Sequence, residues 1–443
     1  MNMLKLSYIR QLFLLYFFVF LFFYFSRNEY FPAWYDACMQ LFMLFLGYIV
    51  IVFSLKNNVS QRLFWSVIIY QLLCSALLIS INWENYGEIY GYNPIDAIFY
   101  RNYAISFKQL SFVEAISRLK FDGNKLDDFG YPLILFLATK VSGDYFPYCI
   151  VIFNALIVGV GSLYLYKLSA LFLPRNYSTL TAIFWGIMPF AVNTTAKGLK
   201  ENFFVCFVIL SIYCLYRYLF NKNYFYLFLF GLFTFFVFLF RLVVGYALIL
   251  SFLAYIIYNF KIVRVRYKMF LTLSILVIIS SFGVLADYVI DQRGYEYEVL
   301  AAHADEKIGG IIGTLTNFTA GFIGPIPNFV SSSPEKLPYI TRYSFTPFFK
   351  MLISFYFWYA VYDIIKNKNT IFFPMIVLYV VNIVMLIFTF FTLHDRYQWP
   401  HIPIFIFLSA YGYMKSLQAK NVNKWYSFYL GGVLLIIFIY NFR

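Results

Sequence analysis

Asp96 is the residue whose setting in the sequence best fits a catalytic role. It follows Asn93-Pro94-Ile95, and this order is typical of an N-cap, a proline at the first helical position and an acid in the first turn. A carboxylate held in this way suits a general base that removes a proton from an acceptor hydroxyl. An ordinary first-turn acid, favoured by the helix dipole, gives the same pattern, so both interpretations stay open.

Asp127 and Asp128 are the second acidic candidates for catalysis. They precede Gly130, a residue typical of turns. Adjacent residues point apart on a helix, but in a turn two neighbouring carboxylates can share one site. A solvated turn explains the same two residues without any catalytic role.

Four basic residues are candidates for binding a lipid phosphate: Lys197, Lys200, Arg241 and Arg396. All lie at ends of apolar segments, where a charge is costly unless it is paired. Lys197 and Lys200 are three residues apart, so on a helix they would share a face. Arginine adds bidentate contacts to a phosphate. The alternatives are a pair between Lys200 and an acid such as Glu201, and snorkelling of Arg241 to the headgroups.

The polar turn from His394 to His401 contains two of the three histidines. The spacing of His394, Asp395 and His401 matches no metal-ligand motif, so we predict no metal site and a turn that positions Arg396. Further candidates for substrate binding are His394, Tyr397 and, in a second long polar segment, Arg293.

The elements that must position these residues are membrane-spanning helices. Hydrophobic residues make up 62% of the chain and charged residues 12%, which predicts an all-α, polytopic integral membrane protein. We predict about 13 spans. Their ranges are 11–26, 37–55, 63–82, 147–168, 178–192, 202–219, 224–240, 242–258, 269–287, 348–365, 371–393, 401–417 and 426–441.

The distribution of Lys and Arg predicts the orientation of these spans. One set of short connections is basic and free of acids, which indicates that the N-terminus is cytoplasmic. These connections contain Lys5/Arg10, Lys56/Arg62, Lys167/Arg175, Arg217/Lys222, Lys261/Arg264/Arg266/Lys268, Lys366/Lys368 and Lys415/Lys420/Lys424. Residues 1–443 then form a single transmembrane domain with two long outward loops, 83–131 and 288–347.

The first outward loop contains its own helix signals. A helix with Pro94 as its first residue is predicted to run on through Phe107, and the capping box Ser111–Glu114 opens a second one. Both are predicted to lie on the membrane surface rather than to cross it. The apolar run Pro132–Thr139 is too short to cross, so it is either re-entrant or the start of a tilted helix. The run 224–258 is predicted to turn at Arg241.

Composition excludes several classes of function. The net charge of +14 comes mostly from short inter-span loops, which indicates contact with anionic lipids rather than with nucleic acid. The five cysteines lie in or beside apolar segments and show neither metal spacing nor a disulfide framework. No cofactor is predicted.

Several short motifs resemble membrane glycosyltransferases of the GT-C class, in particular bacterial relatives of protein mannosyltransferases and of the lipid A aminoarabinose transferase. They are Pro94-Ile95-Asp96-Ala97…Tyr100, Gly130-Tyr131-Pro132-Leu133, Phe240-Arg241 and Arg396-Tyr397…Pro400…Pro403. The resemblance implies a polyprenyl-linked sugar donor, a glycan or lipid-linked acceptor, Asp96 as the catalytic carboxylate and the four basic residues as phosphate ligands. Two departures are an Asp-Ala pair in place of Asp-Glu, and two spans ahead of the one that leads into the loop.

The sequence therefore predicts an outward-facing glycosyltransferase in the bacterial inner membrane, acting in cell-surface polysaccharide biosynthesis by inversion at the sugar. The departures also fit a polymerase that joins O-antigen or capsule repeat units on a lipid diphosphate. A transporter or flippase is the alternative of another class. Transporters often place charges and broken helices near the midplane in repeated halves, whereas no repeat is found in this sequence.

Overall fold

The computed structural model describes residues 6–26, 34–55, 59–91, 94–121, 129–259, 318–330, 337–388, 395–419 and 422–442. These residues are almost entirely helical and include no strand. The helices are α1 (Leu6–Ser26), α2 (Trp34–Ser54), α3 (Val59–Tyr86), α4 (Ile95–Phe107), α5 (Phe112–Phe121), α6 (Gly130–Ser142), α7 (Phe146–Ser169), α8 (Arg175–Gly186), α9 (Pro189–Ala196), α10 (Glu201–Asn221), α11 (Tyr224–Phe238), α12 (Leu242–Asn259), α13 (Leu337–Lys366), α14 (Phe373–Phe388), α15 (Asp395–Gln398), α16 (Ile402–Ser416) and α17 (Val422–Asn441).

The expectation of an all-helical membrane protein is confirmed. Within the described ranges, five stretches are long and apolar enough to cross a bilayer. They are Val59–Tyr86, Gly130–Ser169, Glu201–Asn221, Ser344–Lys366 and Thr370–Ile387. Four shorter apolar helices accompany them, at Ile9–Phe23, Cys38–Ser54, Tyr224–Phe238 and Leu242–Ile256. The predicted span 269–287 and much of the second loop lie outside the described residues, and α13 already begins at Leu337, inside the end of that loop.

The chain forms two compact units. The first comprises Met1–Leu242, Ile326–Phe349 and Ser427–Arg443, and the second comprises Val243–Pro325 and Lys350–Tyr426. In the first unit α3, α7 and α10 form the centre, with α2, α8 and α11 packed against them. In the second unit the Phe357 ring packs on Tyr379 and Phe405, with centroids 4.4 and 4.7 Å away.

The predicted span 178–192 is a broken helix. Helix α8 ends at Gly186 and α9 begins at Pro189, because proline lacks the N–H that would continue the ladder. The break leaves carbonyl groups to be satisfied inside an apolar bundle. Tyr70 Oη donates to the Ile187 carbonyl at 3.0 Å, and Gln71 Nε2 donates to the Gly186 carbonyl at 2.7 Å.

The same side chains extend into a buried polar network. The Thr195 hydroxyl donates to Gln71 Oε1 at 3.0 Å, and Asn202 Nδ2 donates to the Ala191 carbonyl at 3.1 Å. Asn202 Nδ2 also lies 3.0 Å from Thr195 Oγ1. The network therefore joins α3, the break, α9 and α10, and it fixes where the end of α9 lies.

The first long predicted loop, residues 83–131, contains the two helices that its sequence predicts. Helix α4 begins at Ile95, and Pro94 is its N-cap rather than its first residue, so the start lies one residue later than the pattern indicated. Phe107 and Ala115 from these helices pack on Phe136 of α6 in one buried cluster. The segment that contains Pro132–Thr139 is therefore part of α6 and packs against the loop helices.

The long apolar run around Arg241 turns where the sequence predicted. Helix α11 ends at Phe238 and α12 begins at Leu242. The Phe240 and Arg241 amides bond back to the Val237 carbonyl at 3.0 and 2.8 Å, which closes α11 in a tight turn. Arg241 is half-buried at this turn.

Candidate functional site

Lys197 and Lys200 lie on either side of a tight turn between α9 and α10. The Gly198 amide donates to the Thr195 carbonyl at 3.1 Å, and the Leu199 amide donates to the Thr194 carbonyl at 3.0 Å. This bonding pattern ends a helix with a left-handed residue, and Gly198 has a φ of 60°. The two lysines are therefore not on one helix face, as their spacing had suggested, because the glycine ends α9 between them.

The lysine turn and the residue after it hold three ionisable side chains, two lysines and a glutamate, in a buried place. Lys197 and Lys200 are 7% and 6% exposed. Lys200 is also the N-cap of the 21-residue helix α10, whose amide dipoles favour an anion at that end. The Glu201 carboxylate, on the first residue of α10, is fully buried next to them in the sequence. Buried charges in a membrane protein are typical of a functional site.

Asp96 lies on the helix that packs against this turn. Ala97, the next residue in α4, forms a buried cluster with Leu199 of the lysine turn and with Tyr90. The Asp96 side chain is exposed and in the first turn of α4. The structure therefore brings the N-terminal end of α4 to the lysine turn and leaves the carboxylate accessible.

Tyr90 belongs to the buried cluster at the first turn of α4. Its side chain is buried, and burial raises the pKa of its hydroxyl to about 12. The Arg101 guanidinium lies 5.9 Å from the Tyr90 ring centroid and 3.4 Å from Glu88 Oε2. These contacts connect α4 to the residues that follow α3.

Gly130 and Tyr131, at the start of α6, contact both basic turns. The Gly130 amide donates to the Leu239 carbonyl at 2.8 Å, two residues before Arg241. The Tyr131 hydroxyl donates to the Gly198 carbonyl, between the two lysines. The Tyr131 ring also meets the Tyr100 ring of α4 edge-on, with centroids 4.7 Å apart. The lysine turn, the Arg241 turn and α4 thus converge on two adjacent residues.

Sequence reasoning identified Gly130 as a turn residue and, together with Tyr131, as part of a family-like motif. Their positions between two predicted helices gave no signal of the contacts they make. Such contacts depend on tertiary packing, and no alternation or spacing in the sequence encodes them.

Arg396 and Tyr397 lie in the second unit, on the short helix α15, and both are half-buried. The next residue, Gln398, is buried and accepts a hydrogen bond from Lys350 Nζ. Gln398 Nε2 donates to the Ala320 carbonyl at 3.2 Å. The hydrogen bonds of Gln398 to Lys350 and to Ala320 thus fix the position of the predicted polar turn. Sequence reasoning missed Lys350, whose signal was a lone cation inside the apolar run 348–365.

Four of the predicted site residues fall outside the described residues: Asp127, Asp128, Arg293 and His394. Among the residues that the structure describes, no group of three metal-binding side chains occurs. His401 is fully buried, and its ring packs edge-on against Tyr379 at 5.1 Å.

The model of the dolichyl-phosphate-mannose-protein mannosyltransferase family matches residues 129–284, about a third of the chain. The matched stretch contains Gly130, Tyr131, both turn lysines and Arg241, whereas Asp96 precedes it. No curated protein and no solved structure matches the chain significantly. The family match supports the assignment of this chain to the GT-C class of membrane glycosyltransferases.

Proposed function

We propose that the protein transfers a sugar from a polyprenyl-phosphate donor to a glycan or lipid-linked acceptor at the outer face of the bacterial inner membrane. The product would enter cell-surface polysaccharide. The name of the matched family supports this donor class, because it specifies a sugar carried on a lipid monophosphate. It also favours a transferase over a repeat-unit polymerase, whose donor is a lipid diphosphate.

The lysine turn supplies the electrostatic part of the proposed reaction. Transfer breaks the bond between the anomeric carbon and the phosphate oxygen, and the lipid phosphate leaves with the electron pair. Lys197, Lys200 and the N-terminus of α10 would stabilise the charge that develops on this leaving group. Arg241 would add a bidentate contact.

Asp96 supplies the base. Its carboxylate would take the proton of the acceptor hydroxyl while the hydroxyl oxygen forms the new bond to the anomeric carbon, on the face opposite the phosphate. This geometry inverts the sugar. The observation that carries the proposal is the buried cluster of Ala97, Leu199 and Tyr90, because it brings the helix of the base to the turn of the lysines.

The roles of the remaining predicted residues are proposed from the sequence pattern. Arg396 is proposed as a further phosphate ligand, and Asp127 and Asp128 as a second source of carboxylate. His394, Tyr397 and Arg293 are proposed to contact the sugar or the acceptor.

The test of this function is complementation of a strain that lacks the gene. Wild-type protein should restore a sugar to the surface glycan, as measured by mass spectrometry. Asp96→Asn, which keeps the shape and removes the base, should reduce transfer about 10²- to 10⁴-fold at equal membrane levels of protein. Glu84→Gln is the matched control, because Glu84 is an exposed carboxylate at the end of α3.

Near-normal transfer by Asp96→Asn would contradict the role of the base. An unaltered surface glycan in the deletion strain would contradict the function as a whole. Accumulation of single repeat units on the lipid carrier would indicate the polymerase instead.

A further inference from the structure

Gly130 and Tyr131 join two cation-bearing turns that are far apart in the sequence. The geometry points to a positioning role for this pair: it sets the spacing between the Lys197–Lys200 turn and the Arg241 turn, so that both meet one phosphate. The inference rests on the proposed function, because it assumes that these turns bind a lipid phosphate.

Gly130 fixes the Arg241 turn through close backbone contact. A Cβ atom at this position would lie 2.6 Å from the Phe240 ring and 3.0 Å from the Leu239 carbonyl oxygen. The Phe240 ring is itself buried, and its centroid lies 6.0 Å from that of Phe207 and 6.5 Å from that of Phe204. Any larger side chain must therefore push the Leu239–Arg241 turn away and lengthen the bond from the Gly130 amide.

Tyr131 fixes the lysine turn through its hydroxyl. The acceptor is the carbonyl of Gly198, the residue whose left-handed conformation separates the two lysines. The Tyr131 ring is 1% exposed and is held between Tyr100 and Phe203, with centroids at 4.7 and 5.9 Å. The ring cannot follow a displaced turn, so the hydroxyl defines where the Gly198 carbonyl lies.

The two anchors are consecutive residues of one helix, so their separation is set by covalent geometry. A phosphate that contacts Lys197 on one side and Arg241 on the other needs that separation to be constant, because a displacement of 1 Å is enough to impair a positioned contact. The pair would act on affinity for the phosphate through the two turns, without touching the lipid.

The first experiment introduces a steric clash between residue 130 and the Phe240 ring and then removes it with a second substitution. Full-length protein in nanodiscs is titrated with polyprenyl phosphate. Gly130→Ala should weaken binding at least tenfold. The double variant Gly130→Ala/Phe240→Leu should bind with most of the affinity of Phe240→Leu alone, because the smaller side chain at position 240 makes room for the new methyl group. Gly231→Ala in α11 is the matched control, since its Cβ would meet nothing within 4 Å. A Gly130→Ala protein that binds normally overturns the inference.

The second experiment is a double-mutant cycle, which stays informative if Gly130→Ala fails to fold. Tyr131→Phe removes only the hydroxyl and should weaken binding three- to tenfold. In a Lys197→Gln/Lys200→Gln background the same change should have little further effect, because the turn that Tyr131 positions has lost both of its cations. Tyr145→Phe is the control, as Tyr145 is 74% exposed. If the wild-type protein binds polyprenyl phosphate and the losses of the variants are additive, this inference alone is overturned. If the wild-type protein binds no polyprenyl phosphate, the proposed function is overturned as well.

Discussion

Ser111 and Glu114 exchange two hydrogen bonds at the start of α5. The Ser111 amide donates to Glu114 Oε2 at 2.6 Å, and the Glu114 amide donates to the Ser111 hydroxyl at 3.3 Å. The backbone bond from Ser111 is the main cause that lowers the pKa of the Glu114 carboxyl below its ordinary value of 4.5, and the Ser111 side chain adds to it. At the scale of single residues, this capping box was fully predictable, since both partners lie within one turn.

The capping pair gives a pH-dependent prediction. Because the folded-state pKa of Glu114 is depressed, its contribution to α5 is fully present above pH 4.5 and is lost as the pH falls through the folded pKa. Ser111→Ala should speed amide exchange in residues 112–121 about fivefold at pH 7. The difference from wild type should shrink in acid. Hydrogen-exchange mass spectrometry, corrected for intrinsic rates, measures both, and a pH-independent difference would argue against the pair.

The lysine turn shows what single residues do not reveal. Lys197 and Lys200 were recognisable as unusual cations in an apolar chain. Their arrangement was not, because the three-residue spacing fits a helix and only the left-handed Gly198 prevents it. The partner of the Gly198 carbonyl is Tyr131, 67 residues away in the sequence, and a contact of that range has no local signal.

At the scale of elements, the break between α8 and α9 is the feature that most differs from the predicted spans. Pro189 signals a break, but hydropathy alone reads 178–192 as one span. The break is stable because α3 supplies donors to the freed carbonyls, from Tyr70 and Gln71. Those donors look like ordinary polar residues within an apolar helix until the packing is known.

The break makes Gln71 a testable residue. Gln71→Leu has a similar volume but removes the donor to the Gly186 carbonyl and the acceptor for the Thr195 hydroxyl. We expect a loss of about 1–2 kcal/mol in the free energy of unfolding, since buried groups are left unsatisfied. Thermal unfolding of purified protein in detergent measures it. Ser80→Ala is the control, because the Ser80 hydroxyl bonds only within α3 at an exposed site. Equal stability of the two variants would mean that the break finds other partners.

At the scale of the whole molecule, the class of fold was predictable, whereas individual spans were less so. Long apolar runs impose helices, because lipid offers no partner to the backbone. Short helices and turns follow side-chain contacts instead, as the divided run around Arg241 and the broken α8–α9 segment show. Only part of the candidate site could be predicted from the sequence, for a related reason. Charged residues are conspicuous in an apolar chain, whereas the residues that position them are apolar or aromatic and resemble the rest of the chain.

The predicted orientation can be tested with two tyrosines of equal exposure. Tyr145 and Tyr224 are each 74% exposed, and the Lys and Arg pattern places them on opposite sides of the membrane. In a Cys38→Ser background, Tyr145→Cys should react with a membrane-impermeant thiol reagent in intact cells. Tyr224→Cys should react only after permeabilisation. The reverse result would place the proposed site in the cytoplasm and exclude the outward-facing reaction.

The donors to the broken helix precede their acceptors in the chain, and this order matters during synthesis. Tyr70, Gln71 and Ser75 belong to α3, whereas the carbonyls that they bind, those of Ile187, Gly186 and Val192, are made more than 100 residues later. Chains insert from the N-terminus onward, so α3 is already in the membrane when the break emerges from the ribosome. The hydrogen-bond donors of α3 are therefore already in the membrane when the break is inserted, so its free carbonyls find partners without first being exposed to lipid.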